Sequence, residues 1–373
     1  MDQPCGLARD GASGRASTDV RGGLPRLAAG AQLWHMPRKV QWEPPTVPFR
    51  AEHVPVDGQY LRRAALRGAI VRLAHGVYVA AQGAATTQAD QHLQQALAYQ
   101  LAFPRPIVAS HETAAVALGL PLPHPDALPE LPRFTLDPAC GSRRHTRPRV
   151  RVTALPESQV VTMQRGPHEG LRVTRPERTA LDLAAELPLP FALMAMDAVA
   201  RSRALTMSAP WALRGQVDDR ILQESLAGLH AVDCGLGRRG ARRRRIAMAL
   251  VDARHESAAE SASVGGIYLA GLPLPVPQAR FETTQGRYYP DFYWPTWGIV
   301  GECDGAVKYR GGDSAAGQVA ADKRRIQEKR RALCLERECG VQVVPWFGYE
   351  AMYDPDAFLA PLAAALRRRG ASW

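Results

Sequence analysis

At 373 residues the chain exceeds one ordinary domain, and a hydrophobic content of 46% is enough for two or three packed cores. Its 47 Lys+Arg against 36 Asp+Glu give a formal charge of +11, which favours an anionic partner, nucleic acid first. No apolar run reaches membrane-spanning length, no charged-then-apolar leader opens the chain, and six scattered cysteines form no C-x-x-C or zinc spacing; the class is soluble and cytoplasmic, with no membrane partner.

The cations are almost all arginine; Lys39, Lys308, Lys323 and Lys329 are the lysines. With abundant Ala, Gly and Pro, this reads as the codon usage of a GC-rich genome, which adds arginine without functional demand. Residues 1–48 lack periodicity and are expected to be a disordered tail, with Met36 an alternative start.

From Phe49 a short helical piece (Arg50–His53) and an Asp57-Gly58 turn lead into QYLRRAALR. There Leu61, Ala65 and Leu66 keep helical spacing, with arginines on the other face. Two β-runs, IVRL and VYV, flank a His75-Gly76 turn. Helix, turn, basic helix and hairpin outline a winged helix-turn-helix over 49–84. In it Arg62, Arg63 and Arg67 face the groove or phosphates, and Arg72 and His75 on the wing lie along the backbone. The same pattern also fits a small packing unit whose arginines are merely solvated.

Residues 85–235 mix helical and strand patterns in an α/β domain. HETAAVALGLP predicts a helix stopped at Gly119, and RVRVTAL alternates as a strand. TRPERTALDLAAEL predicts a helix with Thr174 as N-cap, Pro176 in its first turn and Glu177 completing a capping box. Arg178 and Asp182 then pair four apart. Seven arginines between Arg238 and Arg254 form either a phosphate-facing surface or a solvated helix face.

The last domain, 236–373, reads as helix (ESAAESASVGGIYLAGLPLP), β-hairpin, basic helix (ADKRRIQEKRRALCLERECG) and strand (VQVVPW), an α/β order with a mixed sheet. On the hairpin, Tyr289, Asp291 and Tyr293 share one face, and Glu302 and Asp304 share a face. A loop of two or four residues sets Asp291 opposite Glu302; a loop of three sets them on different faces. Matched faces would bring like charges together, which a sheet tolerates best around a divalent cation. Mg²⁺ takes one or two carboxylates plus a substrate phosphate, and no organic cofactor is implied. Lys308 would orient the water, and Glu260 would reach in from the preceding helix. Lys323, Arg324 and Arg325 on the basic helix are further candidate DNA contacts. Generic sequence also supplies three acids and a lysine on a solvated hairpin.

These pieces, from ESAAES through YPDFYWP and IVGECDGAVKY to EKRRALCLERECGVQVV, resemble a family of restriction-endonuclease-like domains related to the very-short-patch-repair (Vsr) endonucleases, within the PD-(D/E)xK superfamily. The likeness covers about residues 237–350. It implies a metal-dependent nuclease with Asp291 and Glu302 as metal ligands and Glu260 as the helix glutamate. Where the superfamily's lysine usually stands the chain has Asp304, as the subfamily does, and it departs from the subfamily at Lys308 in place of His, at Val264 in place of Arg, and at Pro345. In the front half, LRRAALRGAIVRLAHGVYV, ASHETAAVALGLP and TRPERTALDLA resemble AbiEi-type antitoxins and transcriptional regulators over about 49–205. That resemblance implies promoter binding; a cognate toxin or a DNA methyltransferase encoded nearby would be a further partner and would separate the readings. Two readings follow: a Mg²⁺-dependent endonuclease delivered to duplex DNA, or a non-catalytic AbiEi-like regulator with a degenerate nuclease-like domain. An RNA-directed version of either lacks a supporting pattern of stacking aromatics.

Overall fold

The computed structural model describes residues 42–123, 128–141, 148–304 and 329–373. Of two compact units, Met1–Trp42 has only Trp42 among the described residues, and Glu43–Trp373 carries everything below. The expected tail over 1–48 therefore falls almost wholly outside the described residues, as do Met36, Lys308, Lys323, Arg324 and Arg325.

Strands β1 (Phe49–Arg50), β2 (Ile70–Ala74) and β3 (Val77–Ala80) form a small antiparallel sheet in the order β1-β3-β2. Helix α1 (Gly58–Leu66) begins where the Asp57 carboxylate accepts the Tyr60 N–H at 2.7 Å, and it buries Leu61 and Ala64. Two expectations are corrected here. The helical piece before it is a single 3-10 turn, Ala51–His53, too short for one helix of a two-helix motif. Leu66, expected on the apolar face, is 88% exposed, because Leu61 and Ala64 set the buried stripe.

The middle sheet runs β6-β5-β4-β8-β7, with β4 (Val108–Ala109), β5 (Arg133–Leu136), β6 (Arg149–Val152), β7 (Val160–Thr162) and β8 (Arg172–Thr174). Phe134, Leu136, Val150 and Val173 from it meet Leu93 and Leu97 of α2 (Gln88–Ala102) in one core cluster. Helices α3 (His111–Leu118), α4 (Pro176–Ala184), α5 (Leu189–Met207), α6 (Asp219–Asp233) and α7 (Ala241–Met248) complete this part. The predicted stop of α3 at Gly119 holds, at φ +67. The predicted capping box on α4 does not form: Arg175 is the N-cap, and no side chain caps the helix. Thr174 instead ends β8, fully buried, with its hydroxyl 2.7 Å from that of Thr179. Sheet pairing has outcompeted the local cap.

Helix α8 (Ala258–Leu269) leads into a four-stranded mixed sheet ordered β14-β13-β12-β9. Its strands are β9 (Val276–Pro277), β12 (Phe292–Trp294), β13 (Ile299–Asp304) and β14 (Gln342–Phe347). A separate hairpin joins β10 (Phe281–Thr283) to β11 (Gly286–Tyr288). Helix α9 is described over 329–339, and α10 (Gly348–Tyr353) and α11 (Pro355–Arg368) end the chain. β12 and β13 are antiparallel, β13 and β14 parallel. Pro345 is tolerated within β14 because that strand is the sheet's edge.

On one face of this sheet Trp346 stacks between Phe292, at 5.4 Å, and Phe358 of α11, at 5.3 Å. The cluster around them is continuous with Leu181 and Leu183 of α4 and Leu193 and Met196 of α5. Helix α5 packs on α4, α6 and α7 and also on α8, so residues on both sides of position 235 share one interior. Among the described residues, no helix is long and apolar enough to cross a membrane.

Candidate functional site

Three places carry candidate chemistry. The first is the basic face of α1 and the β2–β3 hairpin. Arg62, Arg63 and Arg67 are exposed on α1, opposite the buried Leu61 and Ala64, and Arg72 and His75 are exposed on the hairpin. The Arg72 guanidinium donates to the Ala74 carbonyl at 3.3 Å, which holds it along the hairpin. Among the described residues, none of these four arginines has a carboxylate partner. A strip of guanidiniums without carboxylate partners on a short helix and an adjoining hairpin is suited to a phosphate backbone.

The second place is the hairpin of the C-terminal sheet. Pro295–Trp297 and Gly298 make a four-residue connection, and the ladder pairs Phe292 with Gly301, Tyr293 with Val300 and Trp294 with Ile299. One rung further, Asp291 lies across from Glu302. Alternation then puts Asp291, Glu302 and Asp304 on the face shared by Tyr293 and Val300, while Phe292, Gly301 and Cys303 face α8. The Asp291 carboxylate also accepts the Cys303 N–H at 2.8 Å. Burial pushes the Cys303 thiol up to about 12; the Ser263 hydroxyl opposes this, and the charges of Asp291, Glu260 and Asp304 reinforce it. This cysteine is therefore a protonated core residue.

The Glu260 carboxylate is engaged at the start of its own helix. Its two carboxylate oxygens accept the Glu256 N–H and the Ser257 hydroxyl, each at 2.8 Å, and Ser257 in turn accepts the Glu260 N–H at 3.2 Å. Ser257 thus caps α8, and Glu260 ties the cap to the residue before it. Burial raises the Glu260 pKa, against the pull of those two hydrogen bonds. Two carboxylates from adjacent strands match what a hydrated Mg²⁺ takes from a protein. Among the described residues, however, no group of three or more His, Cys, Asp or Glu side chains comes together to hold a metal.

The third place is a pair of buried polar networks for which the sequence offered no signal. His111, the first residue of α3, is held at φ +54 with its Nδ1 2.9 Å from the Ser110 hydroxyl. Nearby, Arg133 binds both carboxylate oxygens of Glu112 and donates to Glu186 at 2.6 Å, while Arg151 donates to Glu186 at 2.7 Å. His111 and Arg133 hold the Glu186 carboxyl far below its usual range, although burial opposes them. In the other network the ring of His255 sits 2.7 Å from the Asp197 carboxylate, both fully enclosed. Burial lowers the His255 pKa, but the charge of Asp197 and their hydrogen bond outweigh it, so the net shift is upward. The partners lie tens of residues apart in sequence, so spacing could not reveal them. The predicted Arg178–Asp182 pair is present at 3.1 Å, and Arg178 also donates to the Ala154 carbonyl and to Gln159.

The arginine-rich run is divided. Arg244 is buried and donates to Asp233 and to the Arg239 and Gly237 carbonyls, and Arg254 is paired with Asp252. Arg238, Arg239, Arg242, Arg243 and Arg245 remain exposed.

Residues 107–223 match the family model of the AbiEi antitoxin C-terminal domain, so the middle of the chain is AbiEi-like. The chain is 25% identical over 303 residues to uncharacterized protein Rv2248 of Mycobacterium tuberculosis H37Rv, covering 81% of this chain and 94% of that protein. Uncharacterized protein MT2308 of strain CDC 1551 matches at the same identity and coverage. Among solved structures, the RV2827C protein of Mycobacterium tuberculosis aligns with a TM-score of 0.35 at 15% identity, over 62% of this chain and 78% of that one.

Proposed function

We propose that the chain is a DNA-binding regulator of AbiEi antitoxin type. The observation that carries this reading is the AbiEi-like stretch at 107–223, preceded directly by a basic face whose arginines have no carboxylate partner among the described residues. In this reading Arg62, Arg63 and Arg67 engage the duplex, Arg72 and His75 lie along its backbone, and the AbiEi-like domain presents the protein to a cognate toxin. Fluorescence anisotropy with duplex DNA from upstream of its own gene is the test. Arg62→Ala with Arg63→Ala is expected to weaken binding about tenfold or more and to reduce the salt slope by about two. Unchanged affinity across a salt series would refute the assignment of this face.

A second reading is favoured by one feature, the register that sets Asp291 across from Glu302. In it, Asp291 and Glu302 hold Mg²⁺, with Asp304 in support; Lys308 lies outside the described residues. A bound Mg²⁺ would supply water activation and charge stabilisation at a phosphodiester. Nicking of plasmid DNA in Mg²⁺ or Mn²⁺ by wild type but not by the Asp291→Ala/Glu302→Ala variant is the expected result. Equal inertness of both, with DNA binding intact, would leave the regulator alone.

A further inference from the structure

A cleft of about 480 Å³ lies between the β2–β3 hairpin, α2 and residues 128–130, within the usual size range for small-molecule sites. Strand β2 borders it and ends its sheet, since β3 is its one neighbour there. The Ala69 carbonyl accepts the Ala81 N–H at 3.0 Å, which fixes the phase of the β2–β3 ladder. Val71 and Val79 are then a hydrogen-bonded pair, and Arg72 opposite Tyr78 is not. The Arg72 N–H and C=O therefore point off the open edge, where they can pair with a further extended backbone.

The α2 wall carries polar groups that the fold leaves unused. His92 lines the cleft and is 6% exposed. The Thr113 Oγ1 accepts the Arg133 N–H at 2.9 Å and lies 2.9 Å from His92 Nε2. With the Thr113 hydroxyl donating to Nε2, all these groups are satisfied and the ring proton stands on Nδ1. Burial lowers the His92 pKa, against the charge of Glu112, so the ring is neutral. Among the described residues, neither His92 Nδ1 nor the Gln95 carboxamide, one turn further along α2, has a hydrogen-bond partner. Two opposite charges line the same cleft. Arg72 spends its Nε on the Ala74 carbonyl, and Glu130 is exposed; among the described residues neither has an ion-pair partner, and they do not pair with each other.

We propose that this cleft binds a short peptide with free ends, its main chain along β2, its terminal carboxylate at Arg72 and its terminal ammonium at Glu130. The His92 Nδ1–H and the Gln95 carboxamide meet the peptide groups on the side away from β2, and Leu73, Leu128 and Pro129 receive apolar side chains. A nucleotide would need surplus positive charge, and one arginine with one glutamate supplies none. Arg72 also belongs to the face assigned to DNA, but the cleft does not depend on that assignment.

The test is differential scanning fluorimetry of the full chain with two probes: an equimolar mixture of tripeptides with free ends, and the same mixture acetylated and amidated. The free mixture is expected to raise the melting temperature with a saturating dose response. The capped mixture has lost both charges and should bind about tenfold weaker or worse. Gln95→Ala and Glu130→Gln remove groups with no hydrogen-bond or ion-pair partner among the described residues, so each should leave the ligand-free melting temperature in place. They should weaken binding of the free mixture, by about fivefold for Gln95→Ala and about tenfold for Glu130→Gln. No shift with the free mixture at millimolar concentration would overturn the proposal, as would equal shifts from both mixtures. Full binding retained in both variants would put the peptide elsewhere on the chain and overturn it too.

Discussion

Replacing Gly301 with alanine tests the register on which the carboxylate site depends. Gly301 pairs with Phe292 on β12 and with Val344 on β14, and its α-carbon faces the indoles. An added Cβ would stand 2.5 Å from Cη2 of Trp346 and 3.1 Å from Cζ3 of Trp294. Ordinary carbon contacts lie at about 3.5–4.0 Å, so the Trp346 ring must retreat by roughly 1 Å. It cannot do so freely: Phe292 and Phe358 sandwich it, and its Nε1 donates to the Ser263 hydroxyl at 2.9 Å. Overpacking costs about 1–3 kcal/mol, and stranding the buried Nε1 costs about 1–3 kcal/mol more. The expected loss is therefore about 2–5 kcal/mol, read as a lower urea midpoint at unchanged slope by far-UV circular dichroism. A loss below about 0.5 kcal/mol would mean the indoles do not lie over Gly301. The Asp291–Glu302 pairing would then lose its support.

Arg178→Met should destabilise the chain by about 3–5 kcal/mol, because it strands the buried Asp182 carboxylate along with Gln159 and the Ala154 carbonyl; a denaturation midpoint near wild type would refute this. Ser257→Ala removes the α8 cap and should cost about 1 kcal/mol, whereas Glu177→Ala should cost much less, since no capping box forms on α4; equal losses in the two variants would contradict the caps described. The His255–Asp197 pair gives a pH dependence. The folded His255 pKa is raised, so its contribution is complete below the imidazole's ordinary value of about 6.5 and is lost as pH rises through the higher folded value. Asp197 on α5, Asp252 in the preceding loop and Glu260 on α8 are the charges that raise it. Urea midpoints should fall between roughly neutral and alkaline pH in wild type, and Asp197→Asn should flatten that fall; a wild-type profile flat over the same interval would count against the pair.

Much of the local structure was legible from residues. The β2–β3 hairpin follows from two β-runs around His75-Gly76, α3 from its apolar spacing and Gly119, and the Arg178–Asp182 pair from i,i+4 geometry. The carboxylate pairing was conditional on loop length, and the four-residue connection after Trp294 decides it. Other errors have a common cause, long-range partners overriding local signals. Thr174 has every local mark of an N-cap, yet β7 claims it into the sheet through its pairing with Val160. Leu66 fits a helical apolar stripe, yet the helix turns Ala64 inward instead. Helix α5 shows no clean 3.6-residue alternation because its middle, Ala192–Ala200, is buried almost without interruption. Glu260 is expected to reach in from α8, and its helix terminus engages both of its oxygens, which spacing alone does not reveal.

The interior shared by α5 and α8 bears on how such a protein can be divided or inherited. A gene fragment ending where the AbiEi-like match ends would leave α5 with a naked flank of Leu, Met and Ala side chains, the kind of surface that cellular proteases and chaperones seize. The C-terminal sheet therefore cannot be shed or exchanged by simple recombination at that point. The bulk of that sheet is what keeps α5 covered.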